Sequence, residues 1–175
     1  MAGKSRLTSL FAAMMSLVTL VPGQVSAKDT GAGDTWRMDR RSYDLGVIAA
    51  FAEMVDDDSK TLAFSAVLPP AEASAIFQDA TRIASESHVA LYREPDLIVT
   101  DLFPADVARG KTVLLIYKGA TLDKYLALKR KKAELVKSGA YTGKAREEIA
   151  RQLGRLLSYS EATIDTVMKK NTVRE

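Results

Sequence analysis

Apolar positions along the chain fall into blocks with different spacings, and the spacing predicts the elements. Leu7 to Val21 carries no charge over 15 residues. Tyr43 to Val55, following the good N-cap Ser42, is apolar on nearly every face when wound at about 100° per residue, which predicts a helix buried by its neighbours. Asp56, Asp57 and Asp58 stop it. Lys60 to Leu68 then alternates, with Leu62, Phe64, Ala66 and Leu68 on one face, and reads as a strand. Pro69 and Pro70 end that strand, and Pro70 opens a helix over Ala71 to Ser87 with Ile76, Phe77, Ala80 and Ile83 on one side. Val89 to Arg93 and Leu97 to Phe103 flank the short turn Glu94-Pro95-Asp96 and predict an antiparallel hairpin. Lys111 to Lys118, with Val113 to Tyr117 uninterruptedly apolar, reads as a central strand covered on both faces.

The last third is helical by the same criteria. Thr121 is the expected N-cap of a helix over Leu122 to Lys137, Ser138-Gly139 stops it, and Thr142 to Leu157 and Ser160 to Lys170 follow. This order predicts an α+β fold: a mixed or antiparallel sheet of about four strands, a buried N-terminal helix, and a C-terminal layer of about three helices. Residues 42–175 are expected to form one domain, preceded by a flexible stretch over 28–41.

The first block changes the picture of where the protein works. Lys4 and Arg6 precede the apolar run, and Pro22-Gly23 and then Val25-Ser26-Ala27 follow it, so residues 1–27 are expected to be a signal peptide cleaved after Ala27. Fifteen apolar residues fall short of the roughly 20 that span a bilayer, so no stable membrane span is expected after cleavage. An exported, periplasmic or secreted, product follows. The chain has no cysteine, so an oxidising compartment offers it no disulfide, and thiolate metal sites are excluded.

Charge then separates the halves. The net of +3 on 175 residues shrinks once the leader is removed, because 23 basic side chains then face 22 acidic ones. Residues 28–107 hold 7 basic and 15 acidic groups, whereas 108–175 hold 16 and 7. The two halves either neutralise one another or leave the basic one for an anionic partner. Nucleic acid is not expected for an exported chain.

Candidate chemistry is sparse. His88 is the sole histidine, placed at a helix-strand junction as filler, and no Gly-x-Ser-x-Gly elbow accompanies it. Asp56 to Asp58 lack the alternate spacing of a calcium loop, and Gly31-Ala32-Gly33 and Ala108 to Thr112 do not form a phosphate loop, so neither cofactor nor metal is expected. Glu53 and Asp57, four apart, are the only start of a two-carboxylate site. The helix from Leu122 is more informative: Leu122, Tyr125, Leu126, Ala133 and Val136 share a stripe that contains Lys129 and has Lys132 at its edge. Those lysines either extend their stems along the core toward water or an acid of the other half, or form the wall of a cationic pocket with Lys118. Arg151 and Arg155, four apart, make a second basic patch, with Tyr141 and Trp36 as aromatic residues expected near a contact. The leading expectation is a non-enzymatic exported domain that binds a protein partner or a small anionic ligand through its basic helical half. The alternatives are a carboxylate-dependent exported hydrolase or lyase, and an envelope assembly factor.

Overall fold

The structure, a computed structural model, describes residues 38–171; the expected signal peptide, most of the 28–41 stretch and Trp36 lie outside the described residues. The described chain is mixed α+β, with six helices and a three-stranded antiparallel sheet. In chain order these are α1 (Arg40–Asp56), β1 (Leu62–Phe64), α2 (Pro70–Glu86), β2 (Ala90–Glu94), α3 (Ala105–Ala108), β3 (Val113–Tyr117), α4 (Thr121–Lys137), α5 (Gly143–Leu156) and α6 (Glu161–Lys170). Among the described residues no helix is long and apolar enough to cross a membrane.

The strand β3 is central. It pairs antiparallel with β1, Phe64 opposite Leu115, and with β2, Tyr92 opposite Leu115, so β1 and β2 run parallel to each other with α2 as the crossover between them. Val113 to Ile116 are buried without alternation because both faces of the sheet are covered. Leu114, Ile116 and Ala63 meet Ile48, Ala52 and Val55 of α1 and Ala73, Ile76, Ala80 and Ala84 of α2. On the other face Phe64 packs against Phe103, ring centroids 5.5 Å apart, and edge-on against Tyr125 of α4 at 6.3 Å.

Four expectations need correction. The N-cap of α1 is Asp39, whose carboxylate accepts from the Ser42 amide at 3.0 Å, and the hydrogen bonds from Ser42 hold its pKa below the ordinary carboxylate value. Nor is α1 buried all round: Asp44, Ile48, Ala52 and Val55 are buried, while Gly46, Ala50 and Met54 are exposed. The first strand is only three residues long because Ser65 intrudes on the ladder. The Ser65 amide still donates to the Leu114 carbonyl at 2.9 Å, but the Leu114 amide donates to Ser65 Oγ at 2.9 Å instead of to a carbonyl, and the next backbone pair is Leu68 with Thr112. Among the described residues the strand expected over Leu97 to Phe103 is absent. Past Glu94 the chain leaves the sheet, and Leu97, Ile98 and Leu102 are buried in a loop whose polar backbone groups are bonded by side chains.

Two local features set the helix ends and the α5–α6 packing. His88 does not fill a junction; it is exposed, at the left-handed C′ position of α2 (φ +55°), where its amide and that of Val89 close the last turn onto Ser85 and Ala84. Gly154 of α5 lies against Ile164 of α6, and a Cβ at 154 would stand 2.6 Å from Ile164 Cγ1. Gly154→Ala therefore overpacks the seam and is expected to cost about 1–3 kcal/mol in urea unfolding. The double variant with Ile164→Ala should be less destabilised than the sum of the two single variants, and strict additivity would contradict the close packing.

Candidate functional site

The helix α4 starts on the sheet and ends in solvent. Its first two turns bury Thr121, Tyr125 and Leu128, whereas Ala133 is exposed and Val136 is 55% exposed. The apolar stripe read from the sequence thus meets the core only along its N-terminal part. Lys129 reaches a buried acid: its Nζ donates to Glu94 Oε1 at 3.1 Å and Oε2 at 3.2 Å, and to the Asp96 carbonyl, with Glu94 only 2% exposed. Glu94 Oε1 also accepts from the Asp96 amide at 2.9 Å. Beside them the Ile98 amide donates to the phenol oxygen of Tyr125 at 3.3 Å, and burial pushes that phenol well above the ordinary tyrosine range. Lys132 donates to the Val99 carbonyl at 2.7 Å with its ammonium 5.0 Å from the Tyr141 ring.

The remaining anchors complete one device. Arg146 of α5 forks onto Asp101 with Nε–Oδ1 at 2.9 Å and Nη2–Oδ1 at 2.6 Å, and its guanidinium stands 5.7 Å from the same Tyr141 ring. Asn171 donates its amide to the Asp101 and Leu102 carbonyls. Thr100 Oγ1 accepts from the amides of Leu102 and Phe103. The loop 94–103 is therefore bonded from α4, α5 and the end of α6. Of the residues singled out in the sequence, the structure brings Lys129, Lys132 and Tyr141 together here.

The others lie elsewhere. Lys118 bonds Asp58 at 2.9 Å and the Asp56 carbonyl at 2.6 Å, bracing the end of α1. Arg151 meets Glu147, Glu161 and Asp165, and Arg155 meets Glu161 at 2.7 Å, so these two tie α5 to α6. Glu53 is exposed on α1, and Asp57 spends its carboxylate on the Ser59 amide, so the pair does not converge. Among the described residues no group of three metal-ligating side chains is assembled.

What the sequence did not single out is the groove between α4 and α5. It has a volume of about 470 Å³ and is lined by Thr61, Lys124, Leu128, Lys131, Gln152, Arg155 and Leu156 among others. The short connection after Gly139 folds α5 back along α4, which sets these rows side by side. Leu128 and Leu156 give an apolar floor. Lys124 and Lys131 make no ion pair among the described residues, whereas on the same helix Lys129 pairs with Glu94 and Lys132 bonds the Val99 carbonyl. At the end of the groove Lys60, next to Thr61, bonds the Leu157 carbonyl at 3.0 Å between the rings of Phe51 and Tyr159, and burial pulls its pKa below the usual lysine value. The spacing of Lys124 and Lys131, two helical turns apart, was present in the sequence, but six basic residues crowd α4 and spacing alone does not say which are already bonded.

No protein-family model, curated protein or solved structure matches the chain.

Two outcomes test this geometry. Asp101→Ala removes the acceptor of a largely buried fork and is expected to cost about 1.5–3 kcal/mol, with faster amide exchange over residues 97–103. Asp106→Ala, at an exposed position of α3, should do neither. The second outcome concerns pH. The Arg155 and Arg151 guanidiniums hold the Glu161 carboxyl below its ordinary value of 4.5. Its contribution is then complete above that value and lost as pH falls through the lower folded value. Glu161→Gln should lower the melting temperature at pH 7, and the difference should narrow as pH falls below 4.5; a difference independent of pH would contradict the pairing.

Proposed function

We propose that the protein is an exported, non-enzymatic binding domain that takes a small amphipathic anion in the α4–α5 groove, its carboxylate or phosphate held by Lys124, Lys131 and Arg155 and its apolar part on Leu128 and Leu156. The reading rests on one observation: two lysines without ion pairs among the described residues flank an apolar floor of ligand-holding size, on a helix whose other central lysines are bonded internally. Removing apolar surface from water supplies affinity, and the cations select charge and orientation. Export is supported by the tripartite pattern of residues 1–27.

Decanoate is a suitable probe. Calorimetric titration should show binding of decanoate and not of decanol, and Lys124→Glu with Lys131→Glu should weaken it at least tenfold with the melting temperature unchanged. Lys137→Glu, outside the groove, should leave it intact. Equal binding of the alcohol and the acid, or indifference to the double reversal, would overturn the reading. Mass spectrometry of the secreted protein should give a chain beginning at Lys28; retention of residues 1–27 would overturn the export.

A further inference from the structure

The path of the chain gathers cations at one end of the domain. Glu94 stands opposite Val113 at that end of the sheet, and Ala90 stands opposite Tyr117 at the other. Arg109 and Lys111 lead into β3 at the Val113 end. Helix α4 starts just past Tyr117, meets Glu94 through Lys129 and runs about two turns further to Lys137, so its last turn lies at the Val113 end as well. Lys144 follows a short connection in the first turn of α5. Lys169 and Lys170 close α6, where Asn171 bonds the Asp101 carbonyl and Arg146 of α5 holds the Asp101 side chain. The six side chains Arg109, Lys111, Lys137, Lys144, Lys169 and Lys170 are exposed, and none makes an ion pair among the described residues.

Exposed acids do not match them. At the same end Asp39 caps α1 and Asp96 meets Lys129, which leaves Glu72, Asp106 and Glu134. The Tyr117 end has the opposite sign: Glu53, Asp56, Asp57 and Asp123 have no lysine or arginine partner among the described residues. Helix dipoles account for only part of this. They favour Lys137, Lys169 and Lys170 in the last turns of α4 and α6, but they oppose Lys144 at the start of α5 and do not reach Arg109 and Lys111.

We infer that the basic end is a docking surface for a lipid bilayer with anionic headgroups, on which the domain rests with its acidic end turned away. The cations come from three helices and a turn, and only Lys137 among them lines a groove, so they form a broad surface and not a cleft for one small anion. Five of the six are lysine, which meets a phosphate as a point charge and suits a fluid layer of headgroups. The fixed acids of a protein call for arginine forks, as Arg146 and Arg151 make within this chain. The two poles give the domain one preferred orientation on a charged plane. Val136, 55% exposed beside Lys137, adds an apolar side chain at headgroup level. This surface leaves the α4–α5 groove open and stands independently of the ligand reading.

In co-sedimentation, the purified protein should bind vesicles of phosphatidylglycerol and phosphatidylcholine in equal parts at least tenfold more tightly than vesicles of phosphatidylcholine alone. Raising the salt to about 0.5 M should abolish the difference. The triple variant Lys111→Glu, Lys144→Glu, Lys170→Glu should weaken binding to the mixed vesicles at least tenfold, with the circular dichroism spectrum and decanoate binding unchanged. Lys124→Glu with Lys131→Glu, in the groove, should weaken it less than threefold. Equal binding to the two kinds of vesicle, indifference to the triple reversal, or an equal loss from the groove pair would each overturn the proposal. Retention on immobilised polyglutamate without vesicle binding would assign this end to an acidic protein and overturn the lipid surface.

Discussion

Everything in the C-terminal half is arranged around a stretch of chain that is buried but belongs to no sheet. Residues 95–103 carry Leu97, Ile98 and Leu102 into the core, and a buried backbone must find partners for its amides and carbonyls. The ladder does not supply them, since past Glu94 the chain pairs with neither β2 nor β3. Side chains do. Glu94 and Thr100 accept within the loop, Tyr125 accepts from Ile98, and Lys129, Lys132, Arg146 and Asn171 donate from three helices. The helices are thereby located by polar geometry as well as by apolar packing, because a helix shifted by one turn would leave an acid or a carbonyl buried without its donor.

The same bonds explain the charge separation along the chain. Lys118 with Asp58, Lys129 with Glu94 and Arg146 with Asp101 each join the basic half to the acidic half. They account for only part of the excess, since Arg151 and Arg155 find their acids within their own half. The cations of α4 therefore divide by position. Those that point at the loop are bonded, and Lys124 and Lys131, which point at α5, stay beside an apolar floor. A lysine that braces a buried loop and one that can meet a ligand are alike in sequence and differ only in what lies opposite.

Elements whose identity rests on spacing were legible. The covered central strand, the crossover helix behind two prolines and the helical last third follow from periodicity and punctuation, because a long apolar period needs no knowledge of its neighbours. Where the outcome depended on a distant partner, spacing misled. Leu97 to Phe103 alternates well enough for a strand, yet its backbone groups bond to side chains of α4 and the end of α6 and not to the outer edge of β2. Ser65 sits at a strand position by alternation, but its hydroxyl displaces the backbone acceptor for Leu114. Glu94 reads as a turn residue and is instead the buried acid of Lys129. The pocket walls suffered most, since a groove between helices is a property of their pairing and no single helix displays it.

The N-terminal helix carries this distinction to its end. An apolar pattern on nearly every face predicts burial on every face, but the described domain buries Ile48, Ala52 and Val55, half-buries Tyr43, Leu45, Val47 and Phe51, and leaves Gly46, Ala50 and Met54 exposed. The difference is one of residue size: glycine and alanine count as apolar in the pattern, yet the apolar surface that Gly46 and Ala50 expose is small, so that side of the helix loses little by facing water.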